Sequence, residues 1–139
     1  MPPTLHATAV AREGAAVLLV GPPGSGKSDL ALRLIDLGWM LIADDRVIAT
    51  PRAGELWLSA PDSIAGLIEI RGLGIVPAPH LPGAPARLLA DLSLAPERLP
   101  EAEWRDVEKV QLPLLRLAAF EASAPLRIEW ALARALRSG

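Results

Sequence analysis

An octapeptide at residues 21–28 constrains this chain more than any other feature of its sequence. It reads Gly-Pro-Pro-Gly-Ser-Gly-Lys-Ser and satisfies the pattern G-x-x-x-x-G-K-[ST] of a phosphate-binding P-loop. The apolar run 15–20 before it is short enough for a buried strand, and strong helix formers fill 29–37 after it. A strand, loop and helix in this order place backbone N–H groups at the positive end of a helix, where a polyphosphate binds. The sequence therefore predicts nucleoside triphosphate binding, in preference to an ordinary glycine-rich turn before a helix.

Each position of the octapeptide has an expected role. Lys27 is expected to reach the β- and γ-phosphates of ATP, and the Ser28 hydroxyl is expected to ligate Mg²⁺. The phosphate-binding residues expected from the motif are Gly21, Pro22, Pro23, Gly24, Ser25, Gly26, Lys27, Ser28 and Asp29.

Composition narrows the class of protein. A length of 139 residues predicts one domain spanning 1–139, and 51% hydrophobic but only 4% aromatic residues predict an aliphatic core of helices on a sheet. Fourteen basic against sixteen acidic residues leave no basic excess for a nucleic-acid partner. Cysteine is absent, which excludes disulfides and thiolate chemistry. The N-terminus has no signal-peptide pattern and no apolar stretch is long enough to span a bilayer, so a cytoplasmic protein without membrane association is expected.

The remaining patterns predict a mixed α/β chain. Extended segments are expected at 5–12, 39–43, 46–50, 55–59, 86–94 and 110–120. A short helix is expected over 61–68, and a final amphipathic helix is expected to begin near Pro125. The charged segment 96–109 is interpreted as a surface loop with a short helix. In the strand at 86–94, Asp91 is expected to face outward.

Two adjacent carboxylates, Asp44 and Asp45, follow an apolar run sixteen positions after Ser28. P-loop NTPases place a carboxylate in this region to hold Mg²⁺. Neighbours in a strand point to opposite faces, so one carboxylate can organise the metal while the other accepts a hydroxyl proton or caps a turn. A plain strand-end turn remains the alternative. Arg46 either neutralises phosphate charge or pairs with Asp45.

Three further residues are candidates on weaker patterns. Glu69 can complete the Mg²⁺ shell and Arg71 can contact phosphate, although the pattern alone favours a surface ion pair between them. His6 lies in the strand before the P-loop strand and is either close to the phosphates or structural.

Taken together, the segments 21–29, 41–47 and 69–75 resemble the HPr kinase/phosphorylase family. The resemblance implies an α/β P-loop kinase domain of the HPr kinase and phosphoenolpyruvate carboxykinase type, with a mixed β-sheet and flanking helices. It implies an ATP- and Mg²⁺-dependent bacterial kinase that phosphorylates a serine of HPr, the phosphocarrier of the phosphotransferase system. The reverse, phosphorylase reaction belongs to the same family.

The resemblance also implies residue roles. Asp44 matches the base that acts on the serine hydroxyl, and Asp45 and Arg46 match neighbouring active-site positions. Asp45 is placed with Ser28 and Glu69 around Mg²⁺. Residues expected to take part in the transfer are Asp44, His6, Lys27 and Arg71.

Some features depart from the family pattern. Ala7 follows His6 where the family has glycine, and the resemblance weakens beyond residue 85. We expect a short form, of the alpha-proteobacterial type, that consists of the kinase domain only. A homo-oligomer is expected because family members form hexamers. A small-molecule kinase and a nucleotide-dependent switch that transfers no phosphate remain alternatives.

Overall fold

The computed structural model describes residues 2–138, which form eleven strands and two α-helices. The strands are β1 (Thr4–Leu5), β2 (Ala7–Arg12), β3 (Ala15–Val20), β4 (Met40–Ala43), β5 (Val47–Arg52), β6 (Glu55–Ser59), β7 (Leu67–Ile70), β8 (Gly74–Pro77), β9 (Gly83–Asp91), β10 (Trp104–Val107) and β11 (Val110–Arg116). The helices are α1 (Lys27–Asp36) and α2 (Ala124–Ser138). Within this part of the chain, no helix has the length and apolar character needed to cross a membrane.

A mixed, curled sheet dominates the fold. Its strand order is β1-β5-β6-β9-β3-β2-β4, with β11 joined to β9 and β10 joined to β11. The P-loop strand β3 is central, antiparallel to β2 and parallel to β9. Strands β7 and β8 form a separate hairpin. The central position of β3 explains its continuous apolar sequence, because both faces of a central strand are covered.

Four strands end at the same edge of the sheet. β2 is antiparallel to both β3 and β4, so β3 and β4 run in one direction, and β9 and β11 run parallel to β3. Across this edge the strand ends follow the order β4, β3, β9, β11. The residues after β4 therefore lie on one side of the P-loop, and the residues after β11 lie on the other.

Alternation along β3 divides the core into two layers. Val17 and Leu19 pack in a cluster that contains Leu30 and Leu34 of α1. Leu18 points to the opposite face, into a cluster with residues from β4, β5, β6 and β9. Side chains alternate faces along a strand, so β3 carries α1 on one face and is enclosed by the curl of the sheet on the other.

The structure confirms most of the expected elements and corrects three expectations. The helix expected over 61–68 is a 3₁₀ turn, Asp62–Ile64, and the chain then enters β7. The segment 96–109 contains no helix, because residues 104–107 pair with β11 as β10. Asp91 is buried, although its strand position predicted an outward side chain.

Candidate functional site

The loop between β3 and α1 has open hydrogen-bonding capacity. Gly26, at the N-cap of α1, has a left-handed φ of 97° and provides no side-chain cap. The first N–H groups of an α-helix have no partner within the helix, so these donors are available to an anion. The Ser25 hydroxyl is buried and has no hydrogen-bond partner among the described residues. Phosphate oxygens are the acceptors that this set of donors suits.

Small residues and one lysine shape the same loop. A side-chain carbon at Gly21 would lie 2.5 Å from Ser25 Oγ, so the loop closes in this form only with glycine at that position. Lys27 Nζ donates to the carbonyl oxygens of Gly21 (2.6 Å) and Pro22 (3.3 Å). The ammonium charge therefore lies over the loop, where it can neutralise phosphate.

Asp44 joins the loop to three other segments. Its Oδ1 accepts hydrogen bonds from Ser28 Oγ (2.6 Å) and Thr8 Oγ1 (3.4 Å). Its Oδ2 accepts from the backbone N–H of Glu69 (3.0 Å). The side chain is buried, and these donors fix the carboxylate beside the first turn of α1.

Asp45 is placed quite differently from its neighbour. Strand β4 ends at Ala43, and Asp45 takes a left-handed φ of 69° that exposes its side chain. Its backbone N–H donates to Thr8 Oγ1 (3.2 Å), so Thr8 contacts both the Asp44 carboxylate and the Asp45 backbone. Within residues 2–138 no ion pair joins Asp45 to Arg46, which is also exposed.

The β7–β8 hairpin brings Glu69 to the site. The Glu69 backbone N–H is bonded to Asp44, while its side chain is exposed. Arg71 is exposed in the turn that connects the two strands, and in the described chain it forms no ion pair with Glu69. The surface-pair interpretation therefore finds no support in the contacts.

His6 lies at the edge of the loop. It is exposed at the break between β1 and β2, and Ala7 pairs with Val20, the last residue before the P-loop. The register therefore carries His6 past the end of β3, next to Gly21.

The expected metal ligands do not form a dense carboxylate cage. Across residues 2–138 there is no group of three or more His, Cys, Asp or Glu side chains that could hold a metal ion. Mg²⁺ in phosphoryl-transfer sites is bound by one or two protein oxygens together with substrate phosphates and water. The Ser28 hydroxyl at the start of α1 can supply one such oxygen, so a dense carboxylate cage is not required.

Sequence reasoning missed Thr8 and Phe120. Thr8 is fully buried in the apolar strand β2. A buried hydroxyl needs a hydrogen-bond partner, so a lone polar residue in an apolar strand could have indicated its role. Phe120 packs against the loop glycine Gly26. The two residues are far apart in the sequence, so no local pattern predicts their contact.

Asp91 lies at the same edge of the sheet, paired with Val20. It accepts hydrogen bonds from the Ser93 N–H and hydroxyl and from Arg105 Nη1 (2.7 Å). Burial raises the pKa of the Asp91 carboxyl, but the bonds from Ser93 and Arg105 outweigh it and hold the pKa below its ordinary value. Through its bond with Arg105, the Asp91 carboxylate connects β9 to β10.

Comparisons with known proteins agree with this geometry. The family profile described as HPr Serine kinase C-terminal domain matches residues 2–89, more than half of the chain. The HPr kinase/phosphorylase of Clostridium tetani is 43% identical over 79 residues, covering 57% of this chain and 26% of the relative. The HPr kinase/phosphorylase of Brevibacillus brevis is 45% identical over 74 residues, covering 52% and 24%. The chain thus spans about a quarter of the length of these curated relatives.

A solved structure extends the likeness over almost the whole chain. The Hpr(Ser) kinase/phosphatase from Coxiella burnetii superposes with a TM-score of 0.80 at 27% identity, covering 97% of this chain and 96% of that one. The mixed curled sheet with flanking helices is therefore the fold of both proteins.

Proposed function

The chain belongs to the HPr serine kinase C-terminal domain family, and on that premise we propose that it transfers the γ-phosphoryl group of ATP to a serine of HPr. We further propose that residues 1–139 act as one catalytic domain. The observation that carries the proposal is the 2.6 Å hydrogen bond between Ser28 Oγ and Asp44 Oδ1. It sets a buried carboxylate directly beside the loop that suits the phosphates of the donor.

The donor half of the reaction requires positioning and charge neutralisation. Lys27 and the N–H groups at the start of α1 bind the phosphate oxygens, and Ser25 donates its otherwise unpaired hydroxyl. Mg²⁺, held by Ser28 with Asp45 and Glu69 close by, would offset negative charge on the phosphates. We assign further polar contacts with the transferring group to His6 and to Arg71, which lies on the hairpin that carries Glu69.

In the acceptor half of the reaction, Asp44 is the base that accepts the proton of the serine hydroxyl. A carboxylate has about four lone-pair sites, and Ser28, Thr8 and the Glu69 N–H use three of them. One site on Oδ2 is left to accept the proton of the incoming serine hydroxyl. The serine oxygen then bonds to the γ-phosphorus, the bond from that phosphorus to the bridging oxygen breaks, and ADP leaves.

The same groups can run the reaction from phosphoserine. Asp44 accepts the proton of hydrogen phosphate, whose oxygen bonds to the phosphorus of phosphoserine. The bond from that phosphorus to the serine oxygen breaks, and Asp44 donates the proton to that oxygen. The products are serine and pyrophosphate. Release of pyrophosphate from phosphorylated HPr and phosphate tests this part of the proposal.

An open surface beside Asp44 favours a protein acceptor over a small molecule. Leu73 and Ile75 are 73% and 69% exposed on the β7–β8 hairpin, next to the exposed Arg71. A small-molecule kinase surrounds its acceptor, whereas this hairpin offers an apolar and basic face. We also propose a homo-oligomer, with the hexamer of the family as the specific expectation, to be checked by light scattering on the purified chain.

The deciding experiment is transfer of label from [γ-³²P]ATP to purified HPr in the presence of Mg²⁺. Label on wild-type HPr and none on HPr whose acceptor serine is changed to alanine supports a serine protein kinase. Equal labelling of both acceptors, or ATP binding without any labelled protein, contradicts the proposal. The second result is the one that a nucleotide-dependent switch would give.

A further inference from the structure

Phe120 is the only phenylalanine of the chain, and it is 71% exposed. It follows β11 in the segment 117–121, between the buried residues Leu117 and Ala119 and the start of α2. Exposing an aromatic ring gives up the free energy that its burial would provide. A ring left open in a fixed position beside a ligand loop is placed to bind a planar ligand.

The ring is held against the P-loop. A side-chain carbon built at Gly26 would lie 3.0 Å from Phe120 Cζ and 3.1 Å from Cε1, so the ring covers this glycine directly. A side chain at Gly26 would press on the ring and would also be strained by the left-handed φ of 97°. The ring is therefore in contact with the loop where helix α1 begins.

An arginine fixes the backbone on both sides of Phe120. Arg33 of α1 donates to the carbonyl oxygens of Ala119 and of Glu121, the latter at 3.2 Å, and its Nε also binds Asp29 at 3.1 Å. Both flanking carbonyls are thus attached to the P-loop helix itself. Because the segment is attached to the helix, Phe120 keeps its position relative to the phosphate-binding residues.

The order of strand ends places Phe120 on the nucleoside side of the loop. Asp44 follows β4, on one side of β3, and Phe120 follows β11, on the other side. The proposed acceptor serine approaches Asp44, so the γ-phosphate lies on that side. The ribose and base are at the opposite end of the triphosphate, and they must leave the loop away from Asp44.

We propose that Phe120 is the stacking platform for the base of the bound nucleotide, with Arg33 as its positioning residue. The inference rests on the nucleotide binding in the proposed function, but not on the identity of the acceptor. Stacking on an aromatic ring uses the π-face that every base has. Phe120 therefore adds affinity for a nucleotide beyond what the phosphates provide.

The test compares the affinity of the protein for a nucleotide with its affinity for a triphosphate that has no base or ribose. Isothermal titration calorimetry of the full chain with Mg²⁺–ATP and with Mg²⁺–tripolyphosphate separates the contribution of the base. We expect Phe120→Ala to weaken ATP binding by roughly 5- to 150-fold, the fold-change for about 1–3 kcal/mol per stacked base. Binding of tripolyphosphate should be unchanged.

Two further variants complete the design. Phe120→Trp keeps an aromatic face and should retain ATP affinity, with tryptophan fluorescence that changes on addition of ATP but not of tripolyphosphate. Trp130→Ala removes a similarly exposed aromatic (79%) from α2 and should change neither affinity. Phe120 is exposed, so Phe120→Ala should keep the melting temperature of the wild type, which circular dichroism checks.

The outcomes separate this inference from the proposed function. Unchanged ATP affinity in Phe120→Ala, or an equal loss for both ligands, overturns it. Wild-type protein that binds tripolyphosphate as tightly as ATP also overturns it, while phosphate binding by the loop stands. A selective loss of ATP affinity supports the stacking role even where wild-type protein labels no HPr, a result that would contradict only the proposed kinase activity.

Discussion

Ser28 Oγ and Asp44 Oδ1 are 2.6 Å apart, which connects the first turn of the P-loop helix to the end of β4. The two residues are sixteen positions apart in the chain and belong to different layers of the fold. In this bond the Ser28 hydroxyl, expected at the metal, donates to the Asp44 carboxylate, expected at the acceptor hydroxyl. The predictions below follow from this arrangement and from the groups that support it.

Asp44→Asn should keep ATP binding and lose most transfer. The amide nitrogen of asparagine cannot accept a proton and would face a donor at either oxygen position of Asp44. Loss of a general base lowers turnover by roughly 10²- to 10⁴-fold. The measurement is the initial rate of HPr labelling at saturating ATP. Asp62→Asn, which changes an exposed carboxylate in the 3₁₀ turn, should have wild-type activity. Wild-type turnover in Asp44→Asn would rule out the base role.

Lys27→Ala should abolish detectable transfer and weaken ATP binding. The lysine ammonium lies over the loop carbonyls of Gly21 and Pro22, where it can neutralise phosphate charge. A hydrogen bond to a charged group contributes about 1.5–3 kcal/mol, so affinity should fall roughly 10- to 150-fold. Lys109 is the only other lysine of the chain and lies in an exposed turn, so Lys109→Ala is the matched control. Similar ATP affinities for the two variants would contradict the role given to Lys27.

Thr8→Val tests the contacts that Thr8 makes with the Asp44 carboxylate and with the Asp45 backbone. Valine has nearly the same shape, but it removes the donor to Asp44 and the acceptor for the Asp45 N–H. A buried polar group left unpaired costs about 1–3 kcal/mol, so the free energy of unfolding should fall by that amount. HPr labelling should slow while the KM for ATP changes little. Thr8→Ser restores the hydroxyl and should recover both properties; a serine variant as impaired as the valine variant would show that the methyl group matters instead.

Stability at low pH should depend on Asp91. Its pKa is lower in the folded protein than its ordinary value of 3.8, so its ionised form stabilises the fold. This contribution is complete above pH 3.8 and is lost as the pH falls through the lower folded value. Asp91→Asn should therefore lower the melting temperature at pH 7, and the difference from wild type should shrink towards pH 2. Glu101→Gln, in the exposed loop nearby, provides the control. A constant difference at every pH would contradict the prediction.

Local sequence patterns predicted an element correctly where its contacts are with residues close in sequence. The strand before the P-loop and the helix after it were confirmed, because each depends on a few adjacent residues. The extended segments expected at 46–50 and 55–59 were confirmed as β5 and β6 for the same reason. The role of Lys27 came from the P-loop motif and those of Asp44 and Glu69 from the family resemblance, and all three remain predictions.

The same reasoning failed where a strand is charged and where a contact partner is distant in sequence. Residues 104–107 form a hairpin with β11 through the two-residue turn 108–109, but the charged segment 96–109 has no apolar alternation that would reveal the strand. Asp91 looked like an outward residue because its partner Arg105 lies fourteen positions later in that unrecognised strand. Phe120 and Gly26 are ninety-four positions apart, so their contact depends on the whole order of the sheet.

Four segments of the fold meet at Asp44, so the orientation of its carboxylate depends on complete folding. The carboxylate is oriented by groups at positions 8, 28 and 69, which belong to β2, α1 and β7. A partly folded chain that lacks any of these segments still contains the P-loop sequence, but its Asp44 carboxylate is not oriented. Phosphoryl transfer should therefore recover only with the last of these contacts during refolding, and an incompletely folded molecule should remain catalytically silent.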